Sequence, residues 1–231
     1  MRHDRELVFD DDPWARIEDA AFMEFRLTYA GPLYSTANDS ETKAVKRSDH
    51  KHDLRMAFQP QLKRLWEVTP FLKRGHSAGP MDAEIGEWVD GKVLHHTPQE
   101  LAKRFNMFTW NFVPLVTSGM DLMCAIDVLF LRPGVPGGVL HQGDIDGRLK
   151  TLVDALSIPD ANQGYQDRKW SSGSNPLYVL LEDDRLVTKV SVETDQMLEF
   201  VSPKRDMHEV RLVITVRIRP YEIHAGNMAF G

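Results

Sequence analysis

Two aspartates separated by a single residue, Asp144 and Asp146, open the stretch GDIDGRLKTLVDAL. A second acidic pair, Asp183 and Asp184, lies further along the chain in EDDRLV. Like charges at such short spacing repel each other, so carboxylates packed this closely are typical of places that receive a cation. Mg²⁺ and Mn²⁺ take oxygen ligands and keep positions open for water and phosphate. The spacing therefore indicates metal-assisted chemistry on a phosphate.

A simpler interpretation exists for the first pair, because a carboxylate at the start of a helix caps it and is favoured by its dipole. Three features favour the metal hypothesis over this one. The pair follows a Gly- and Pro-rich segment, 133–143, that leaves a buried strand, and such loops often carry function. Lys150 follows Asp146 by four residues, where its ammonium group can offset charge on a reacting phosphate. The second pair lies at a junction of two predicted strands.

The elements that must position these residues follow from periodicity. Alternating apolar residues predict strands in FMEFRLTYAGPL and EVRLVITVRIRP, and two strands that meet at the acidic pair in PLYVLLEDDRLVTKVSVET. The nearly continuous apolar run LMCAIDVLFLRPG predicts a central strand covered on both faces. Helical spacing predicts a helix over SDHKHDLRMAFQPQLKRLW, kinked or split at Pro60. The sum is an α+β fold in which a mixed sheet packs with two main helices.

Shorter signals fill the remaining chain. The helix after GDID carries a core-facing stripe at 149, 152, 153 and 156. TPQELAKRFNMF predicts a short helix with Thr97 as its cap, Pro98 in its first turn and Glu100 closing a capping box. Asp90-Gly91 predicts a hairpin.

Composition limits the possible functions. The chain of 231 residues carries a net charge of −6, which counts against a broad nonspecific nucleic-acid surface but permits a local basic one. Its longest apolar runs are too short for a membrane span, and the charged N-terminus is not a secretory signal. The single cysteine, Cys124, lies in an apolar run where a buried thiol is expected. A cytoplasmic protein is the default expectation.

The stretch GDIDGRLKTLVDAL followed by EDDRLV resembles the RusA-type Holliday-junction resolvases. That family shows D-x-D-N, a lysine four residues after the second aspartate, an aspartate and a leucine further along the helix, and a D-D pair before a strand. The resemblance covers about residues 122–218, with weaker agreement over 22–66. It implies a single RusA-like domain over 21–231 behind an acidic N-terminal arm, 1–20. The domain would contain an insertion at about 67–115 and a polar loop at 159–176.

The resemblance also implies a function. RusA-type enzymes are homodimeric Mg²⁺-dependent endonucleases that nick opposed strands of four-way DNA junctions. Mg²⁺ or Mn²⁺ as cofactor, branched DNA as substrate and a homodimer are therefore expected. On the family pattern Asp144, Asp146 and Asp184 hold the metal with Asp183 assisting, and Lys150 is the catalytic lysine.

One further residue matches the family pattern, and two features depart from it. Asp154 matches the aspartate further along the helix, for which a structural role is expected. Gly147 stands where the family has asparagine, and the link from the helix to the D-D pair is longer than usual. These departures, with the net acidity, keep open a second hypothesis: a non-catalytic RusA-like module that binds nucleic acid or protein. A D-x-D sugar-nucleotide transferase is a weaker third hypothesis, because no nucleotide-binding half precedes the motif.

Basic residues that could follow a DNA backbone occur around the start of the first helix. A run of this kind is usually a solvated surface, but beside the acidic site it would form a phosphate track. The residues predicted to contact DNA are Lys46, Arg47, Lys51, Arg55 and Arg148.

Overall fold

The computed structural model describes most of the chain, with several gaps. The described residues are 23–35, 41–78, 94–133, 144–161, 163–166, 168–169, 173, 175–199 and 208–230, without the side chains of 41–46, 76–78, 94–95 and 144. The acidic arm and the predicted hairpin at Asp90-Gly91 lie outside these residues.

Over the described residues the chain forms four helices and nine strands, which confirms the predicted α+β class. The helices are α1 (Glu41–Val68), α2 (Pro70–Arg74), α3 (Pro98–Arg104) and α4 (Asp144–Leu156). The strands are β1 (Met23–Pro32), β2 (His76–Ala78), β3 (Leu94–His96), β4 (Asn106–Met107), β5 (Trp110–Val116), β6 (Leu122–Arg132), β7 (Leu177–Leu181), β8 (Val187–Gln196) and β9 (Glu209–Pro220). None of the helices described is both long enough and apolar enough to cross a bilayer.

The main sheet has four strands in the order β1-β9-β6-β8. β9 is antiparallel to both β1 and β6, with Ile214 opposite Leu27 on one side and Val128 on the other. β8 is parallel to β6, with Val190 beside Ile126. Because β6 and β8 point the same way, the chain must cross from the end of one to the start of the other, and α4 lies in this connection.

One face of the main sheet packs on α1 and α4 to form the larger core. α1 contributes Leu54, Phe58 and Leu62, and α4 contributes Leu152 and Leu156, all nearly inaccessible to water. The predicted apolar stripe of α4 is therefore confirmed.

A smaller sheet extends the core. It has the order β4-β5-β7, with β5 and β7 parallel, and its aromatic residues Trp110 and Phe112 pack with Tyr165. β2 and β3 form a separate two-stranded pair.

The structure corrects two local predictions. β6 alternates buried and half-buried residues, so it is central in the sheet but fully covered on one face only. Its acidic residue, Asp127, lies on the open face and pairs with Arg217 of β9. α1 continues through Pro60 as one helix rather than splitting there, with the proline ring exposed to solvent.

The predicted cap of α3 is confirmed, since the Thr97 hydroxyl accepts a hydrogen bond from the Glu100 amide at 3.3 Å.

Candidate functional site

The first acidic pair lies at the N-terminal end of α4. The helix begins at Asp144, whose side chain is outside the described residues, and Asp146 is exposed in the first turn. Lys150, one turn later, is also exposed. This end of α4 therefore presents a carboxylate and an ammonium group to solvent.

The second acidic pair lies at the C-terminal end of the same helix. Directly after α4, Ser157 forms a parallel bridge with Leu181, the last residue of β7. The Ile158 amide donates a hydrogen bond to the Leu181 carbonyl at 3.0 Å. The acidic run Glu182–Asp184 follows Leu181 immediately, so it lies beside the end of α4.

Five carboxylates surround a cavity of about 340 Å³ at this C-terminal end. They come from the last turns of α4, from the segment after it and from the run after β7. We call this cavity the acidic pocket, and its carboxylates belong to Asp154, Asp160, Glu182, Asp183 and Asp184.

Two of these carboxylates are fixed by partners from other elements. Glu182 Oε2 accepts hydrogen bonds from the Ser118 amide at 2.8 Å and the Ser118 hydroxyl at 3.0 Å. Asp154 forms a partly buried ion pair with Lys51 of α1, with Nζ 2.5 Å from Oδ2. The ion pair of Asp154 agrees with its expected structural role.

The adjacent residues Asp183 and Asp184 have pKa values shifted in opposite directions. The Arg185 guanidinium and backbone amide donate hydrogen bonds to Asp183, with distances of 2.9 Å, and lower the pKa of Asp183 to about 2. Partial burial raises the pKa of Asp184, as do its hydrogen bond with Asp183 and the charges of Asp154 and Asp160. The neighbouring carboxylates thus add to burial in disfavouring the ionised form of Asp184.

The structure does not bring the two acidic pairs together within one chain. Asp146 precedes Asp154 by eight residues, which corresponds to roughly 12 Å along a helix, and Asp184 lies near Asp154. Ligand oxygens lie about 2 Å from a magnesium ion, so Asp146 and Asp184 of one chain cannot share it. Within the described ranges, no three His, Cys, Asp or Glu side chains are close enough to hold a metal ion. Within one chain the structure therefore keeps Asp146 and Asp184 apart, and the three-aspartate metal site stays a prediction.

Arg55 also differs from its prediction as a DNA contact. It is 1% exposed, and its Nε donates a hydrogen bond to the Ser157 carbonyl at 3.1 Å. Its Nη2 donates to the Asp154 carbonyl at 2.5 Å and to Gln163 Oε1 at 3.0 Å. Arg55 follows Leu54 and precedes Phe58 by three residues, so it lies on the buried side of α1. It fixes the segment that follows α4 and cannot contact a phosphate outside.

The other predicted DNA contacts give a mixed result. Arg148 is 5% exposed, with Nη2 3.4 Å from the His208 ring, so little of its side chain is accessible to DNA. Lys51 is engaged by Asp154. Arg47 is half-buried, and the side chain of Lys46 is outside the described residues. Those of these side chains that the structure describes do not form a continuous phosphate track.

No pattern in the sequence indicated the buried contact between Tyr165 and His52. Tyr165 is fully buried inside the predicted polar loop, and its hydroxyl lies 2.9 Å from His52 Nδ1. Burial lowers the pKa of His52 to about 4, assisted by the charges of Arg168 and Arg55, so this histidine is neutral at pH 7. The available signal was the presence of an aromatic residue in a polar segment. Asp160 and Glu182 had no signal beyond their charge.

Comparison of the chain with known protein families, with curated proteins and with solved structures finds no match.

Proposed function

We propose that the protein is a Mg²⁺-dependent endonuclease that acts on branched DNA. The observation that carries this proposal is the placement of carboxylates at both ends of α4, with Asp146 exposed at one end and Asp184 beside the acidic pocket at the other. Carboxylate oxygens are the ligands that Mg²⁺ and Mn²⁺ prefer. The sequence resemblance supplies the reaction and the substrate class.

The metal site of this proposal is shared between two copies of the chain. Asp146 and Asp184 are both exposed but lie near opposite ends of α4, so each is accessible to a neighbouring molecule. In a homodimer with two-fold symmetry, Asp184 of one copy meets Asp144 and Asp146 of the other, and the arrangement occurs twice. Two such sites match the paired cuts that resolution of a four-way junction needs.

The residues of the shared site have distinct tasks. Asp144, Asp146 and Asp184 hold the metal, and Asp183 assists through its hydrogen bond with Asp184. An ion held there would supply activation of the attacking water and stabilisation of the leaving 3′ oxygen. The water oxygen would bond to phosphorus as the P–O3′ bond breaks, with the proton of the water lost to solvent and one taken up by the leaving 3′ oxygen. Lys150 would place positive charge beside the scissile phosphate.

The direct test incubates the purified protein with four-way, fork, flap and linear duplex DNA, with and without Mg²⁺. Branched DNA should be cleaved only with metal, and Asp146→Asn and Asp184→Asn should each reduce the rate at least about 100-fold. Glu67→Gln, which removes an exposed carboxylate far from both acidic pairs in the sequence, is the control and should cleave normally. Undiminished cleavage by a correctly folded Asp146→Asn variant would reject the proposal.

A second candidate function is a non-catalytic RusA-like module that binds nucleic acid or a protein. The separation of Asp146 from Asp184 within one chain favours it, because such a module needs no shared ion. Mn²⁺ titration with thermal melting separates the two candidates, since a ligand that binds only the folded state raises the melting temperature. The nuclease should show a rise that Asp184→Asn removes. A module without a metal site should show none.

A further inference from the structure

The main sheet has two edges that differ in how their backbone groups are used. β1 forms one edge and β8 the other. An edge strand presents unpaired amide and carbonyl groups, which can pair with a strand of another molecule unless something covers them.

The β1 edge is covered by a side chain from α1. Gln61 Oε1 accepts a hydrogen bond from the Thr28 amide at 2.9 Å, and Gln61 Nε2 donates to the Thr28 carbonyl at 2.8 Å. The carboxamide of Gln61 therefore takes the place of a neighbouring strand in the middle of β1. Gly31 and Pro32 end the strand on the same edge.

The β8 edge is not paired with any of the other strands that the structure describes. β8 has ten residues, and no side chain or loop among the described residues is hydrogen-bonded to the outward backbone of its middle, 188–194. Val190 lies beside the buried Ile126 on the helix-covered face, yet it is 44% exposed. An exposed valine on a long open edge is the feature that natural sheets avoid unless a partner covers it.

The sequence of β8 is complementary to itself when two copies run antiparallel. With Ser191 opposite Ser191 of the second copy, Lys189 faces Glu193 and Val190 faces Val192. Cross-strand pairs of opposite charge and of β-branched residues both stabilise antiparallel strands. Two-fold symmetry makes each of these pairs occur twice. Shifting the centre to Val192 would place Val190 opposite Thr194 and replace the two Val190–Val192 pairs by a single pair of Val192 with its own copy.

From this complementarity we infer that the protein dimerises through β8, which joins the two main sheets into one continuous sheet. The occupant of the open edge is thus a second copy of the same chain. The interface stands on the edge geometry alone and does not require the protein to be a nuclease.

The dimer has a consequence for the proposed metal site, and this step rests on the proposed function. Asp184 precedes the start of β8, whereas the chain leaves the opposite end of the sheet, after Arg132, to reach α4. Antiparallel pairing of two β8 strands therefore brings Asp184 of one copy to the end of the sheet from which α4 of the other copy begins. That is the side on which Asp144 and Asp146 lie.

Charge exchange across the interface tests the pairing by analytical ultracentrifugation. The wild-type protein should sediment as a dimer, and Lys189→Glu or Glu193→Lys alone should shift it to monomer by placing like charges opposite each other. The double variant Lys189→Glu/Glu193→Lys should restore the dimer. Lys189→Glu/Asp195→Lys is the matched control and should remain monomeric. A monomeric wild-type protein, or failure of the first double variant to dimerise, would overturn the inference.

A cysteine on the two-fold axis tests the register independently. Directly opposed residues of antiparallel strands have Cα atoms about 4.5–5.5 Å apart, within the range of a disulfide. Ser191→Cys should therefore form a covalent dimer on mild oxidation, whereas Thr28→Cys on the covered β1 edge should not; the native Cys124 is buried. Cross-linking without nuclease activity would reject the proposed function and keep the interface. Metal-dependent cleavage without cross-linking would reject the interface and keep the proposed function.

Discussion

The two ends of α4 carry acidic residues of very different character. At the N-terminal end Asp146 and Lys150 are exposed to solvent. At the C-terminal end carboxylates gather around a pocket, where Asp154 and Asp183 are each held by a cation. The side chains at the N-terminal end of α4 are accessible to solvent, whereas carboxylates at its C-terminal end are held in place by ion pairs.

This difference shows how strand direction decides which residues meet. The first pair follows the end of β6, and the second precedes the start of β8. Because these strands are parallel, the last residue of β6 and the first residue of β8 lie at opposite ends of the strands in the sheet. Two acidic pairs that suggest one site in the sequence therefore become two separate sites in a single chain, and only a second copy can reunite them.

The largest expected effect on stability concerns Arg55, which contacts the C-terminal end of α4 and not its N-terminal end. Arg55→Ala leaves the buried carbonyls of Asp154 and Ser157 without their donor, so the free energy of unfolding should fall by about 3 kcal/mol. Lys103→Ala, which removes an exposed ion pair, should change it by less than about 0.5 kcal/mol. Urea denaturation measures both. Equal values for the two variants would show that the C-terminal end does not depend on this buried arginine.

Asp183→Asn should give a smaller loss, of about 0.5 kcal/mol at pH 7, because asparagine still caps the turn that follows but loses the charge that pairs with the exposed Arg185 guanidinium. The pKa of Asp183 is lowered from 3.8 to about 2, so its stabilising contribution exists above pH 4 and disappears as the pH falls towards 2. The free energies of unfolding of the wild-type protein and of Asp183→Asn, measured across this pH range, should converge as the pH falls. A difference that stays constant with pH would contradict the role of the ionised carboxylate.

Asp184→Asn should have the opposite sign and a size of a few tenths of a kcal/mol. The raised pKa of Asp184 means that its ionised form destabilises the folded protein at neutral pH, so removing the charge should stabilise it without metal. The gain should vanish in acid, where the wild-type carboxyl is protonated. In excess Mg²⁺ the order should reverse, because only the wild-type residue binds the ion. Melting curves with EDTA and with Mg²⁺ test both signs.

Lys150→Ala should have the smallest effect on stability, since the side chain is exposed at the accessible end of α4. We expect a change within about 0.5 kcal/mol in the free energy of unfolding. Cleavage should nevertheless fall at least about 100-fold, because the ammonium group acts only on the reacting phosphate. Lys150→Arg should recover part of the rate. A variant with normal cleavage would remove Lys150 from the site.

Much of the fold could be predicted because its signals are local. The alternation in β9, the cap at Thr97 and the stripe of α4 each depend on residues within a few positions of one another. The burial of Arg55 was missed because a basic residue was assigned to the surface, although its position relative to Phe58 places it on the buried side of α1. The distance between Asp146 and Asp184 could not be predicted, because it depends on the relative direction of β6 and β8, which no local pattern encodes.

The central claim is that Asp146 of one copy and Asp184 of another hold the same metal ion. A heterodimer of Asp146→Asn and Asp184→Asn chains, purified through two different tags, tests it directly in a junction-nicking assay. One of its two shared sites then contains both substitutions and the other contains neither. The account predicts that this heterodimer nicks four-way DNA with Mg²⁺ while both parent homodimers do not. If the wild-type protein is active and the heterodimer is as inactive as its two parents, the account is contradicted.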